Sequence, residues 1–157
     1  MKNIFFYDTK IGRFAIMDNG KEITDMEIAD FINTKDMNVY ETELIKQAAE
    51  QLMEYLEGSR KTFDLPLNPQ GTEFQKSVWN VLCNIPYGET RSYKQVAVAI
   101  GNPKACRAVG LANNKNPIMI FIPCHRVVGL NGSLVGYAGG LDLKEKLLSI
   151  EKGTAVN

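Results

Sequence analysis

The 157-residue chain carries no net formal charge, and 45% of its residues are hydrophobic and 23% charged, which is typical of an ordinary soluble globular protein. Its longest apolar runs fall far short of the roughly 18–20 residues that span a bilayer, which excludes a membrane-spanning helix, and its N-terminus lacks the apolar segment of a secretory signal. We therefore expect a cytoplasmic protein of one domain or two small ones, whose three cysteines are free thiols.

The first third of the chain predicts a small antiparallel sheet. Residues 4–7 and 14–17 are short runs rich in strand-forming side chains. The turn signal Asp18-Asn19-Gly20 then predicts a hairpin into a further strand at 21–25.

A helix and a linker follow. Asn38 has a glutamate three residues further on, which is an N-capping signal, and the apolar spacing after it predicts a helix over 39–57. Two prolines and a glycine within 65–71 predict a linker. We therefore expect two domains, a sheet-and-helix domain over 1–67 and a second domain over 68–157.

The second domain is predicted to be mainly helical, which makes the fold class α+β. Thr72 with Gln75 and Ser92 with Gln95 each form a capping box at the start of a predicted helix. Gly101 closes the second of these helices, and Asn102 with a proline after it predicts the start of the next. Two helices joined by so tight a turn are typical of a helix-turn-helix, although most tight helical hairpins bind nothing. A buried strand is predicted next, then a glycine-rich loop and a last helix.

The charge distribution favours nucleic acid as the partner of the second domain. Residues 1–67 carry a net charge of −5 and residues 68–157 a net charge of +5. No acidic residue lies between Glu89 and Asp142, whereas six basic residues do. A cationic stretch free of acids is expected where a chain meets phosphate, and a solvated basic face is the alternative.

Cys124 is the main candidate for chemistry. It follows the predicted buried strand at 118–122 and precedes His125, the only histidine, and Arg126. Cationic surroundings favour the nucleophilic thiolate, so the thiol is predicted to titrate below the roughly 8.5 of a free cysteine. The alternative is a small buried hydrophobe beside a core histidine. Adjacent residues in extended backbone point to opposite faces, so Cys124 and His125 could meet only through a bent backbone or a bridging water.

The segment Pro123-Cys124-His125-Arg126-Val127 resembles the active-site motif of the O6-alkylguanine-DNA alkyltransferases, also called methylated-DNA–protein-cysteine methyltransferases. Five further segments resemble this family in order and spacing: Tyr87-Gly88-Glu89-Thr90-Arg91-Ser92-Tyr93, Gly101-Asn102-Pro103-Lys104, Arg107-Ala108-Val109-Gly110, Asn116-Pro117 and Tyr137-Ala138-Gly139-Gly140-Leu141. The resemblance covers about residues 72 to 153. It implies DNA repair by direct transfer of the alkyl group from O6-alkylguanine to Cys124, once per chain.

The resemblance also implies the catalytic roles. Cys124 corresponds to the nucleophile, His125 to the base that deprotonates it through a water, and Glu151 to the carboxylate that orients the imidazole. Asn116 corresponds to the residue that buttresses the active-site turn. Tyr93 corresponds to the residue that crowds the 3′ phosphate and gives a proton to the leaving guanine.

DNA contacts follow from the same resemblance. The family inserts its recognition helix into the minor groove and turns the damaged nucleotide out of the duplex, and Arg107 corresponds to the finger that fills the gap. Lys104 is expected at the DNA, and three small residues let the helix approach the groove closely: Ala105, Ala108 and Gly110.

Val127, Tyr137, Ala138 and Gly139 are expected to line the guanine pocket, with Ala138 standing where many members of the family have serine. We expect a monomer with no cofactor. We also expect no metal site, since one Cys–His pair offers only two ligands. Three other functions are alternatives to alkyl transfer: a DNA-damage binder of the same family that lacks the thiol, a helix-turn-helix regulator that reads the major groove, and a cysteine hydrolase. The presence of Cys124, the small residues on the recognition helix and the lack of an oxyanion-hole motif argue against them in turn.

Overall fold

The computed structural model of the chain describes residues 1–137 and 139–153. They divide into a first unit, Met1–Gln70, and a second unit that begins at Gly71. The first unit is a sheet with one long helix and the second is mainly helical, so the predicted α+β class is confirmed.

A four-stranded sheet forms the first unit. Its strands in chain order are β1 (Asn3–Thr9), β2 (Gly12–Asp18), β3 (Ile23–Ile28) and β4 (Asn38–Val39). Their spatial order is β3-β2-β1-β4, with β2 antiparallel to both neighbours and β4 parallel to β1. Ile4, Ala15 and Met17 are buried together on one face of this sheet.

The helix of this unit, α1 (Glu43–Leu56), begins later than the sequence predicts. The capping signal at Asn38 is wrong because the sheet uses that segment: the Asn38 amide donates to the Lys2 carbonyl, and the next strand-like bond runs from Tyr40 to Ile4. Thr42 caps α1 instead, its side chain accepting from the third amide of the helix.

Four helices build the second unit: α2 (Glu73–Cys83), α3 (Tyr93–Ala99), α4 (Cys106–Asn114) and α5 (Leu141–Glu151). Both predicted capping boxes are confirmed, Thr72 with Gln75 before α2 and Ser92 with Gln95 before α3. Two short strands, β5 (Arg91–Ser92) and β6 (Val127–Val128), pair in parallel and join the start of α3 to the segment after Cys124.

Helix α4 starts at Cys106 rather than beside Pro103, so the predicted Asn102 cap is wrong. Asn102 to Ala105 form a turn that is closed by the Ala105 amide on the Asn102 carbonyl. The Lys94 ammonium donates to the Pro103 carbonyl at 2.8 Å, which occupies an acceptor that a longer helix would use. Helices α3 and α4 nevertheless form the predicted helix-turn-helix.

The apolar run at 118–122 is a buried turn and not the strand that the sequence predicts. Its last amide, that of Ile122, donates to the Ile118 carbonyl, and Ile120 has a φ of 70°. Few β-branched residues adopt this left-handed backbone. The run folds back on itself immediately before Cys124.

Candidate active site and DNA interface

Cys124 opens a short 3₁₀ helix, Cys124–Arg126, and its side chain is buried. Asn116 braces the turn that leads to it from both ends: the Asn116 amide group donates to the Ile122 carbonyl at 2.8 Å, and the Ile118 amide donates to the Asn116 side-chain oxygen at 3.0 Å. Since these bonds fix the backbone immediately before the thiol, the position of Asn116 fits a buttressing role.

His125 and Glu151 are brought together although they are 26 residues apart. His125 Nε2 lies 2.7 Å from a Glu151 carboxylate oxygen, and both side chains are buried. Burial lowers the pKa of His125 and outweighs the opposing effect of Glu151. The imidazole is therefore neutral near pH 7, and because a carboxylate only accepts, Nε2 is the protonated nitrogen and Nδ1 the basic one.

Arg126 holds the same carboxylate, a function that the sequence analysis missed. Its Nε and Nη2 lie 2.8 and 3.0 Å from the two Glu151 oxygens, and its Nη1 donates to the Ile85 carbonyl at 2.8 Å. The Gly88 amide adds a bond of 3.0 Å to Glu151. In the sequence Arg126 reads as one of six basic residues of a cationic stretch. Only the tertiary contact shows that its charge is paired inside the protein.

The thiol does not have the depressed pKa that the sequence predicts. Burial raises the pKa of Cys124, and the hydrogen bonds of Asn116 and Tyr137 and the charge of Lys144 only partly oppose this effect. The expectation of a preformed thiolate is therefore wrong for this site. A thiol that is protonated at neutral pH needs a base, and this need gives the buried imidazole a chemical role.

Lys144 is a buried cation that the sequence analysis also missed. Its ammonium donates to the carbonyls of Val135 and Gly136 at 3.0 and 3.2 Å. Burial lowers the pKa of Lys144, and a negative charge on the Cys124 thiolate opposes that effect. A seven-residue spacing from Glu151, which places both on one face of a helix, was the available signal.

Tyr93, the first residue of α3, reaches the same loop. Its hydroxyl donates to the Val135 carbonyl at 3.0 Å, so this carbonyl receives both Tyr93 and Lys144. Burial raises the pKa of Tyr93, and a negative charge on Cys124 raises it further. The hydroxyl thus stays protonated near the thiol.

The predicted pocket residues lie around this centre. Val127 is buried in β6, and Tyr137 is buried and contacts Cys124. Gly139 is tightly enclosed, because a Cβ added there would lie 2.8 Å from Leu143 Cδ2 and 3.0 Å from the Tyr137 ring. Ala138 lies outside the described residues.

The predicted DNA-contact residues lie on the helix-turn-helix formed by α3, α4 and the turn between them. Lys104, Arg107 and Ala108 are exposed and Ala105 is half-buried. Over residues 1–137 and 139–153, no ion pair engages Arg107. Gly110 lies beside the Tyr93 ring, because a Cβ added to this glycine would lie 3.8 Å from Tyr93 Cε1.

Metal-binding clusters and membrane-spanning helices are both absent from the part of the chain that the structure describes. No group of three or more His, Cys, Asp or Glu side chains within it could hold a metal ion. None of its helices is long and apolar enough to cross a membrane.

A buried thiol, imidazole and carboxylate beside a helix-turn-helix define a protein that performs cysteine chemistry next to a DNA-binding surface. Family models agree along both units: the DNA-binding domain of 6-O-methylguanine DNA methyltransferase matches residues 73–153, and its ribonuclease-like domain matches residues 5–69. The chain belongs to the 6-O-methylguanine DNA methyltransferase family, which confirms the resemblance seen in the sequence, and DNA is its partner.

Individual relatives are similar over most of their length. The methylated-DNA–protein-cysteine methyltransferase of Methanosarcina acetivorans is 60% identical over 120 residues, 76% of this chain and 77% of that protein. The constitutive enzyme of the same name from Bacillus subtilis is 45% identical over 152 residues, 92% of each chain. The crystal structure of the Mycobacterium tuberculosis O6-methylguanine methyltransferase is 41% identical with a TM-score of 0.90, over 99% of this chain and 96% of that one. A structure of the M. tuberculosis protein OGT in complex with DNA has the same identity and TM-score, over 96% and 93% of the two chains.

Proposed function

We propose that this protein repairs DNA by transferring the alkyl group of O6-alkylguanine to Cys124, once per chain. The observation that carries the assignment is the buried His125–Glu151 pair at 2.7 Å, next in sequence to a buried thiol in a chain of this family. The reaction is a displacement at a saturated carbon, for which a thiolate is an effective nucleophile.

The proposal includes proton movements, which the contacts of His125 and Glu151 support. His125 takes the thiol proton through a bridging water, and the carboxylate of Glu151, itself held by Arg126, stabilises the imidazolium. The sulfur then forms a bond to the alkyl carbon as the bond from that carbon to O6 breaks. Tyr93 gives its proton to the leaving guanine, whose anion is otherwise a poor leaving group. The thioether product has no hydrolytic exit, which accounts for a single turnover.

Access to the buried thiol requires the damaged nucleotide to leave the duplex. We propose that α4 docks in the minor groove, where the small side chains Ala105 and Ala108 permit close approach and the exposed Arg107 fills the vacated stack. Val127 and Tyr137, which are both buried against the reactive segment, form the walls that receive the base.

The oligomeric state and location belong to the same proposal. We propose a monomer, because one chain supplies every group that the reaction uses. Its cysteines Cys83, Cys106 and Cys124 are all unpaired, which fits a reducing cytoplasm.

The test is the intact mass of the protein after incubation with duplex DNA that contains O6-methylguanine. We expect the replacement of one hydrogen by one methyl group, on Cys124 by peptide mapping. Cys124→Ala should keep DNA binding and lose the transfer, whereas Cys106→Ala, on the exposed helix-turn-helix, serves as the matched control and should react normally. A methyl on another cysteine, or binding without any transfer, would contradict the proposal.

A further inference from the structure

Two asparagine side chains hold the backbone on either side of the reactive thiol. The Asn116 amide group donates to the Ile122 carbonyl at 2.8 Å, and the Asn113 amide group donates to the Cys124 carbonyl at 3.3 Å. The two carbonyls are two residues apart, so the bonds bracket the peptide units that carry Cys124. The family resemblance assigns a role to Asn116 alone.

Burial of the Asn113 side chain disfavours folding. It is 1% exposed, and within residues 1–137 and 139–153 its side-chain oxygen has no hydrogen-bond partner. Burying an amide oxygen without a partner disfavours folding, while a leucine of similar size would avoid that cost. Stability alone therefore does not explain an asparagine here, and the bond to Cys124 is what it provides.

Asn113 also links two functional elements. It lies near the end of α4, six residues after Arg107, which is on the helix proposed to contact DNA. The same end of α4 is fixed to α2 by the Trp79 indole, which donates to the Ala112 carbonyl at 2.8 Å. The backbone of the nucleophile is thus tied to the DNA-contacting helix through one amide group.

We propose that Asn113 is a positioning residue for alkyl transfer. Its amide group fixes the Cys124 peptide against α4, which keeps the sulfur in line with the alkyl carbon and the leaving oxygen, an alignment on which such displacements depend. The Cys124 carbonyl already accepts from the Val127 amide within the 3₁₀ helix, so Asn113 supplies its second donor. This inference rests on the proposed function of Cys124.

The first test compares Asn113→Leu with Trp79→Phe, each of which removes one hydrogen bond from the end of α4. Single-turnover alkylation is measured with O6-methylguanine duplex and with a free O6-alkylguanine base, beside thermal unfolding. Asn113→Leu should lower the limiting rate about tenfold with both substrates, at an unchanged half-saturating concentration and without a lower Tm. Trp79→Phe should lower Tm and keep the wild-type rate.

Three results would overturn the inference: a wild-type limiting rate in Asn113→Leu, an equal loss of rate in Trp79→Phe, or a loss confined to the duplex. Transfer by the wild-type protein is measured in the same series. If the wild type takes up no methyl group the proposed function fails, and if it does so while Asn113→Leu is equally fast, only the role of Asn113 fails.

The second test is Asn113→Asp, which has nearly the same shape and keeps the inference testable if the leucine variant does not fold. Burial beside a carbonyl raises the pKa of a carboxyl group, so it donates a hydrogen bond to Cys124 only when protonated. The ratio of the variant's rate to that of the wild type should therefore rise as the pH falls. A ratio independent of pH would count against positioning by this hydrogen bond.

Discussion

Replacing Glu151 with glutamine tests the buried charge cluster of the active site. The carboxylate accepts from His125, from two nitrogens of Arg126 and from the Gly88 amide, at 2.7 to 3.0 Å. Glutamine would remove the negative charge and turn an amide NH₂ toward the guanidinium. Arg126 would then remain as a buried cation without its partner.

The magnitude follows from that loss. Removing one member of a buried, hydrogen-bonded ion pair costs about 3–5 kcal/mol, a large part of the roughly 5–15 kcal/mol that stabilises a typical protein. For a chain of this size such a loss lowers Tm by roughly 6–20 °C. Among the folded molecules, alkylation of Cys124 should be about 10- to 100-fold slower, since the imidazolium loses its counter-charge.

Urea unfolding gives the stability, and single-turnover alkylation below the unfolding transition gives the rate. Glu145→Gln, an exposed carboxylate on the same helix, is the matched control and should change the unfolding free energy by less than about 0.5 kcal/mol. A Glu151→Gln protein as stable as this control would refute the reasoning on charge pairing. Wild-type alkylation by Glu151→Gln would refute the relay.

Three further predictions concern His125, Cys124 and Arg107. Burial lowers the pKa of His125, the only histidine, so the unfolded chain binds a proton that the folded protein excludes. The unfolding free energy should therefore fall as the pH drops below about 6.5, by up to about 1.4 kcal/mol per pH unit. A His125→Gln variant that shows the same slope in urea titrations would contradict this prediction. Because burial raises the pKa of Cys124, the rate at which iodoacetamide modifies this thiol in DNA-free protein should reach half its maximum above about pH 8.5. Peptide mapping follows the modification, and a lower midpoint would mean that the thiolate is preformed. Arg107→Ala should slow duplex repair tens-fold while reacting normally with a free base, since unstacking costs on the order of a few kcal/mol. It should also leave the salt slope of DNA binding unchanged, whereas Lys104→Ala should reduce that slope by about one; a matching loss with the free base would remove Arg107 from the finger role.

Local signals predicted the fold well where side chain and backbone interact within one turn. Both capping boxes of the second unit, at Thr72 and Ser92, are confirmed for this reason. The similar signal at Asn38 was wrong because the Asn38 amide donates to the carbonyl of Lys2, which directly precedes β1 and is 36 residues away in sequence. The strand predicted at 118–122 was also wrong, since an apolar run does not specify whether its backbone extends or folds back.

In the candidate site, too, the residues found from the sequence differ from those that only tertiary packing defines. The sequence motif identified Cys124 and His125, and the family resemblance supplied the distant Glu151. Arg126 and Lys144 were missed as buried groups, because a basic side chain is usually exposed and its burial is decided by tertiary packing. The thiol pKa was predicted in the wrong direction because burial, its largest cause, is a property of packing rather than of neighbouring charges.

The carbonyl of Val135 accepts from both Tyr93 and Lys144, and this duplication bears on how the site passes from rest to reaction. If the phenol turns to a bound purine, the ammonium remains on the carbonyl, which therefore keeps a donor. The hydroxyl can therefore exchange one acceptor for another at almost constant free energy, while the loop around Gly136 keeps its place. Tyr93, the proposed proton donor, is therefore available to the one guanine that the chain repairs, without any prior opening of the loop that holds its hydroxyl.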